Sequence, residues 1–477
     1  MFIVCICVAL LVYHVLYQRV PNENRPEENK QQLSHPEVDR DNLKYQQNQE
    51  SGVNIHKSQM QEDQMQDQMQ KAQQVQMQKN KDPIDETHQK SREETPSCSH
   101  PHKHLYFLKV HKSGSTTMQN IFLRFSMSNK LNVLTLAKGF KSYPQRVFDK
   151  KLPPQPSVLQ NGKYDVYCEH SVYDENYLMK LLQPDTINIA IFREPMAQLR
   201  SSFNYYGIGK GLNLNHLPDP AAYYIEHMDK YCKAPNSCRV TKNRYATEIG
   251  YQADKHNIHE YLSYLQGKFF VLIMEKLSES LVLMKRKLCW DIKDVLYARA
   301  RQKNYKQPAE TNETLIELYK AQSPLNFIIH DYFTRIMESM IAEQDENFHQ
   351  EVAFLDDCLE ETREFCDGIC SQMGKLIKYK AGRNEMRAVL DTDLEFEESQ
   401  WESSFSISGL DCVMMRFGPS VYRNAQKVAL LPEYCHPSKR ELLDSVLHVP
   451  AEFCDDYFNY TFPWSKLYKP QFAAKCY

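Results

Sequence analysis

Residues 104–125 read HLYFLKVHKSGSTTMQNIFLRF, and this stretch decides the fold. His104–Val110, LYFLKV behind a leading histidine, is a short apolar run fit for a buried strand. The polar residues HKSGS then break it. From Thr116 to Phe125 the apolar residues Met118, Ile121, Phe122 and Phe125 recur at helical spacing. Strand, polar loop and amphipathic helix are the opening unit of an α/β domain. Outward from it the alternation repeats. Val133–Ala137 and Tyr164–Cys168 read as short strands, and Tyr173–Leu182 as a helix. Ile187–Phe192 (INIAIF) is a second continuous apolar run, and Pro195 behind it suits a helix's first turn. Phe269–Met274 (FFVLIM) is a further buried strand, with Ser278 as N-cap of the helix that follows. The pattern predicts an α/β fold: a P-loop-like parallel sheet flanked by helices. Beyond Glu310 it becomes mostly helical, with amphipathic stretches at 312–321, 325–342 and 347–366.

The chain has 477 residues, 14 of them glycine, and a formal charge of −3. Collagen-like and Gly-linker architectures are excluded. A multi-span membrane protein is excluded by a mean hydropathy of −0.62. Without a global basic field no nucleic-acid partner is expected, and any anionic ligand must be held by a local cluster.

Three regions differ in composition. Residues 2–17 (FIVCICVALLVYHVLY) form an apolar run with no basic residue before it and no small-residue cleavage site after it. We expect residues 1–20 to be an uncleaved signal-anchor. Residues 21–100 are polar and partly low complexity, as in QMQEDQMQDQMQKAQQVQMQ at 59–78, and are expected to form a disordered stem. Residues 101–477 are expected to fold as one domain. Fourteen cysteines, twelve of them beyond the anchor, fit an oxidising compartment. Cys366-Asp-Gly-Ile-Cys370 has the spacing of half a zinc site, but no second pair follows, so disulfides or buried thiols are expected. Asn312-Glu-Thr and Asn459-Tyr-Thr are glycosylation acceptor sequences that point to the same compartment.

Two strand-to-helix loops carry the chemistry. The first, Lys109 to Thr117, combines the start of a helix with lysine, glycine and hydroxyl side chains. Backbone N–H groups and the helix dipole there favour an anion. Lys112 adds a mobile charge, Gly114 permits close backbone approach, and Ser115, Thr116 and Thr117 add donors. No Walker A sequence occurs in the chain, which disfavours a P-loop kinase. The second loop places Arg193 at the end of the INIAIF strand and Ser201 eight residues on, two turns into the helix. Open α/β sheets bind ligands at such strand ends, and arginine can grip a phosphate at two points.

Together the loops resemble the nucleotide site of sulfotransferases that use 3′-phosphoadenosine 5′-phosphosulfate (PAPS). The closer resemblance is to the galactose 3-O-sulfotransferases. LKVHKSGSTTMQNIFLRF, FREPMAQLRSSFNYY and MEKLSESLVLMKRKLCWDIKDVLY are similar to three long motifs of that family, in order, over about residues 100–430. Glu194 replaces the usual aspartate, residues 391–411 look like an acidic insertion, and the Gln-rich stem lies outside the resemblance.

The resemblance implies PAPS as co-substrate, held by Lys109, Lys112, Ser113, Gly114, Ser115, Thr116 and Thr117 at its 5′-phosphosulfate and by Arg193 and Ser201 at its 3′-phosphate. It implies transfer to a galactose hydroxyl, expected at O3, of a glycolipid or glycan, by a single-pass type II protein of the Golgi membrane. His170, in YCEH at a strand end and matching a family Cys-x-His, is the candidate general base. His111 is second, since Lys112 beside it disfavours its charged form. Lys112 is the expected partner of the leaving oxygen, and Glu169 a possible orienting group for a histidine or the acceptor hydroxyl. No metal is required. Two other classes stay open: a membrane-anchored carbohydrate-binding protein on the same fold, and a metal-dependent glycosyltransferase suggested by Asp391-Thr-Asp393. That triplet has no apolar strand before it and reads as a solvated charged segment.

Overall fold

The structure is a computed structural model describing residues 98, 100–134, 159–233, 238–298, 312–379, 383–419 and 421–422. The expected anchor, most of the stem, and Asn459 lie outside the described residues. No helix among the described residues is long and apolar enough to cross a membrane.

Four parallel strands form the central sheet: β1 (Leu105–Leu108), β2 (Val166–Tyr167), β3 (Ile187–Phe192) and β4 (Phe269–Ile273), in the order β2-β1-β3-β4. The four residues of β1 are essentially inaccessible. Phe107 meets Phe122 of the following helix at 4.9 Å, while Tyr106 stacks on Tyr167 at 5.8 Å and meets Phe269 edge-on at 6.1 Å. Both faces are therefore covered, which is why the strand reads as a continuous apolar run rather than an alternating one. Burial of each such side chain contributes roughly 1.5–3 kcal/mol.

The main helices are α1 (Ser115–Ser128), α2 (Glu175–Leu181), α3 (Pro195–Tyr205), α4 (Arg244–Glu248), α5 (Ile258–Gln266), α6 (Leu277–Leu288), α7 (Pro324–Ala342), α8 (Glu346–Lys378) and α9 (Gly409–Arg416). α1 is more deeply set than its amphipathic pattern suggests. Gln119, Asn120, Arg124 and Ser126 are buried too, and each makes a hydrogen bond. Gln119 Nε2 donates to Cys168 O at 2.7 Å, and Asn120 Nδ2 donates to Met414 O and Phe417 O at 3.0 and 3.2 Å. The Cys366–Cys412 disulfide ties α8 to α9, the helix packed behind α1. α3 lies between two apolar clusters' domains of influence: its Met196, Leu199 and Phe203 belong to a second core with Tyr224, Met228 and Tyr319. Its Gln198 and Ser202, one turn apart and fully buried, face inward instead.

Several expectations change in detail. Val133 makes only an isolated bridge to Val166, and residues 135–137 are outside the described set. The strand expected at Tyr164–Cys168 shortens to two residues, with Tyr164 bridging Leu182. Ser278 is not an N-cap: α6 begins one residue earlier behind Lys276, and the Ser278 hydroxyl donates to Asp356 at 2.6 Å. The segment holding Asp391-Thr-Asp393 is partly ordered as an antiparallel pair, β5 (Asp393–Phe396) with β6 (Phe405–Ser408), pinned by Phe396 stacked on Phe405 at 4.7 Å. The three DTD residues themselves are exposed. Cys366 and Cys370 are both disulfide-bonded, which removes them as zinc ligands. Cys98–Cys289 and Cys232–Cys238 are further disulfides, whereas Cys358 is a buried thiol, so the twelve cysteines do not all form disulfides.

Candidate functional site

The strand order creates the site. β1 lies between β2 and β3, so the chain leaves β1 toward one neighbour and returns to the other. Such a reversal opens a crevice beyond the strands' carboxyl ends. The loop after β1 (109–114), His170 after β2 and Arg193 after β3 all stand at that end. The two loops therefore lie side by side, and Arg193 Nη1 is 3.5 Å from the Lys112 carbonyl oxygen. Gln198 Nε2 donates to His111 O at 3.1 Å, and the Tyr245 hydroxyl donates to Arg193 O at 2.6 Å. Gln198 and Tyr245 hold the loop backbones in register, and neither stood out in the sequence.

The helix starts behind the two loops are unlike. α3 is capped by its own chain: the Glu194 carboxylate accepts from Met196 N and Ala197 N at 2.7 and 2.6 Å. The Glu for Asp departure thus keeps an N-cap function. α1 has no capping side chain and no acidic residue in its first turn. Its first turn therefore carries no acidic side chain of its own to meet the positive end of the helix dipole. At the second loop the helix start is thus already met by Glu194, and the polar side chains left beside it are Arg193 and Ser201.

Gly114 is the N-cap of α1, with φ +73°. A Cβ there would come within 2.5 Å of Met274 Sδ. Gly114→Ala is expected to cost about 1–3 kcal/mol from the backbone alone. Chemical denaturation would check this, with loss of less than about 0.5 kcal/mol speaking against the close approach. Lys112 is also left-handed, at φ +63°, and its Nζ lies 3.9 Å from the centroid of the exposed Tyr205 ring. Ser115 is buried, Thr116 exposed and Thr117 half-buried along the first turn. Lys109 is buried, and Ser113 is fully buried on the inner side of the loop. Arg193 and Ser201 are half-buried.

The structure brings the two histidines together. The His111 and His170 rings stack with centroids 3.6 Å apart and planes 14° from parallel. His170 Nδ1 is 2.6 Å from Lys109 O. A carbonyl only accepts, so Nδ1 carries the proton and the lone pair lies on Nε2. His111 Nδ1 bonds the Glu248 carboxylate, and His111 N donates to the other carboxylate oxygen at 3.1 Å. Arg244, one turn before Glu248 on α4, donates to the same carboxylate through Nε and Nη2 at 2.9 and 2.7 Å. All three residues are nearly inaccessible. Burial lowers the His111 pKa despite the carboxylate beside it, and Arg244 and Lys109 act in the same direction as burial. Burial alone would raise the Glu248 pKa, but Arg244 and His111 outweigh it and hold the carboxyl below its ordinary range. The carboxylate bonded to His111 is Glu248, far along the sequence. Glu169, weighed as an orienting group, is buried next to His170 in the chain.

His111, His170 and Glu248 each place a potential ligand atom within 4.8 Å of the others. The arrangement suits a proton better than a cation. Arg244 already neutralises the carboxylate, and His111 spends its Nδ1–H on it. Asn312, the described acceptor sequence, is exposed and caps the helix Glu313–Gln322 through Oδ1, which accepts from Leu315 N at 2.8 Å.

Galactose-3-O-sulfotransferase 2 of Homo sapiens is 26% identical over 254 residues, 50% of this chain and 61% of the relative. Galactosylceramide sulfotransferase of Mus musculus is 25% identical over 283 residues, 56% of this chain and 64% of the relative. Galactose-3-O-sulfotransferase 3 of Homo sapiens is 30% identical over 222 residues, 42% and 47% of the two chains. The matched part thus spans roughly half to two-thirds of these relatives' length. No solved structure gives a significant match. The family model described as Galactose-3-O-sulfotransferase matches residues 69–387. It begins inside the Gln-rich stretch that the motifs left out and ends before Asp391. The match takes in both anion loops, His170, Arg244 and Glu248, and because it covers about two-thirds of the sequence, the chain belongs to the galactose-3-O-sulfotransferase family.

Proposed function

We propose that this protein transfers a sulfuryl group from PAPS to a galactose hydroxyl, at O3, of a glycolipid or glycan. The observation that carries the reading is the uncapped start of α1 beside Lys112 and Arg193, with a tautomer-fixed histidine at the same end of the sheet. The donor's phosphosulfate lies against the first turn of α1, close to Gly114, where a side chain would collide with Met274. Lys112, Ser115, Thr116 and Thr117 surround it, with Lys109 and Ser113 supporting the loop from inside. Arg193 and Ser201 take the 3′-phosphate. The acceptor O3–H gives its proton to His170 Nε2 as its oxygen bonds sulfur. The bond from sulfur to the bridging phosphate oxygen breaks, and 3′-phosphoadenosine 5′-phosphate leaves. Lys112 and the α1 dipole meet the charge that grows on that oxygen. No step calls for a metal.

The protein acts from the Golgi membrane as a single-pass type II protein anchored by residues 1–20. Disulfides at Cys98–Cys289, Cys232–Cys238 and Cys366–Cys412 and the exposed Asn312 support a luminal domain.

Donor binding tests the 3′-phosphate assignment. Removing a charge-assisted contact costs about 1.5–3 kcal/mol, so Arg193→Ala is expected to weaken 3′-phosphoadenosine 5′-phosphate at least about tenfold. Its affinity for adenosine 5′-phosphate should hardly change. Calorimetry showing equal affinity of the folded variant and the wild type for the bisphosphate would remove Arg193 from the site.

A further inference from the structure

We propose that Glu248 is a positioning residue for the transfer: held by Arg244, its carboxylate fixes His111 and, through the stacked rings, sets the orientation and charge balance of His170. The inference rests on the reading of His170 as the base.

Glu248 is a buried and heavily bonded side chain at this end of the sheet. It accepts from the His111 backbone, the His111 ring and two nitrogens of Arg244. A surface ion pair would not need so many partners. This one is buried, and its bonds converge on a ring that itself does no described ligand binding. Fixing His111 Nδ1 as a donor leaves His111 unable to rotate, so its face becomes a wall 3.6 Å from His170. The Lys109 carbonyl fixes the second ring from its Nδ1 edge. His170 is thereby held on one face and one edge, with Nε2 as the basic atom.

Charge supplies the second half. Among the described residues, the charged groups bearing on the stack are Lys109 and Glu248 with Arg244, together with Lys112 and Glu169, which adjoin His111 and His170 in the chain. Two stacked imidazoles disfavour a double positive charge, so one ring must stay neutral when the other takes the acceptor's proton. His111, buried and donating to Glu248, is the neutral ring. Glu248 also cancels Arg244. Without it a buried guanidinium would stand near His170 and oppose formation of its imidazolium.

The test is Glu248→Gln, which keeps the shape and removes the charge. With the carboxylate within 4.8 Å of the His170 ring, its loss is expected to lower the His170 pKa by about one unit. That titration is read without turnover, from the pH dependence of diethyl pyrocarbonate modification of His170 followed by mass spectrometry. In the transfer assay the acid limb of kcat should move to lower pH by the same amount. kcat should fall about tenfold, and the donor KM should change less than twofold. The double variant R244Q/E248Q removes both charges and should bring the His170 titration back toward wild type. A folded Glu248→Gln with an unmoved His170 titration and acid limb would overturn the proposal. Should Glu248→Gln fail to fold, Glu248→Asp decides: the shortened carboxylate should lower kcat with an unchanged donor KM, and wild-type kcat would refute the role. A wild-type protein that transfers to no galactoside would sink the reading of function, while the His170 titration would still decide whether Glu248 governs the pair.

Discussion

His170→Ala is expected to lower turnover by about 10²–10⁴-fold, the range for a lost general base, while affinity for 3′-phosphoadenosine 5′-phosphate stays nearly unchanged. The separation follows from position. His170 stands after β2 and its Nδ1 bonds the Lys109 carbonyl, so in the proposed reaction its Nε2 serves the acceptor's proton and not the donor's phosphates. His111→Ala is the comparison. It deletes the partner of a buried carboxylate and leaves the Arg244–Glu248 pair exposed to rearrangement. Loss of fold stability, by chemical denaturation, is expected there before loss of chemistry. Comparing the two folded variants at saturating donor decides the assignment. If His170→Ala turns over at near wild-type rate and His111→Ala is inert, the roles are reversed.

Lys112→Ala is expected to damage binding and chemistry together. Its ammonium meets the phosphosulfate before reaction and the bridging oxygen during it. Losing a charge-assisted contact should weaken the donor at least about tenfold, and losing transition-state stabilisation should lower turnover by a further factor of about 10²–10³. In the structure its Nζ rests over the Tyr205 ring, 3.9 Å from the centroid, so the side chain already reaches toward the C-terminal end of α3. Single-turnover kinetics with donor titration separates the two effects. A variant with weakened donor but unchanged single-turnover rate would confine Lys112 to binding.

The framework was legible because burial on both faces writes itself into consecutive residues. β1, β3 and β4 carry mostly apolar runs such as INIAIF and FFVLI, and no glycine or proline interrupts them. β2 was harder to delimit, since only Val166 and Tyr167 pair along β1. Helix α1 was found by spacing, but its depth was not. Nothing local says that Asn120 will meet α9, nearly three hundred residues on. Ser278 looked like a cap because serine caps helices, yet the 3₁₀ turn Met274–Lys276 had already begun the helical run. The anion loops were readable because their chemistry is contiguous, one helix start and a handful of donors. The support for His111 was not. Gln198, Arg244 and Glu248 come from two other elements, and a glutamate at an ordinary position in a short helix carries no local mark. Only the fold shows that it is buried against an arginine and a histidine.

The most direct measurement is transfer itself. The domain beginning near residue 98, with its disulfides formed, is incubated with ³⁵S-labelled PAPS and a panel of glycolipid and oligosaccharide galactosides, and the sulfated position is then located by mass spectrometry. We predict label on O3 of a terminal galactose, dependent on His170 and Lys112. Tight binding of 3′-phosphoadenosine 5′-phosphate with no transfer to any galactoside would contradict the account and favour a protein that binds carbohydrate on this fold without catalysis.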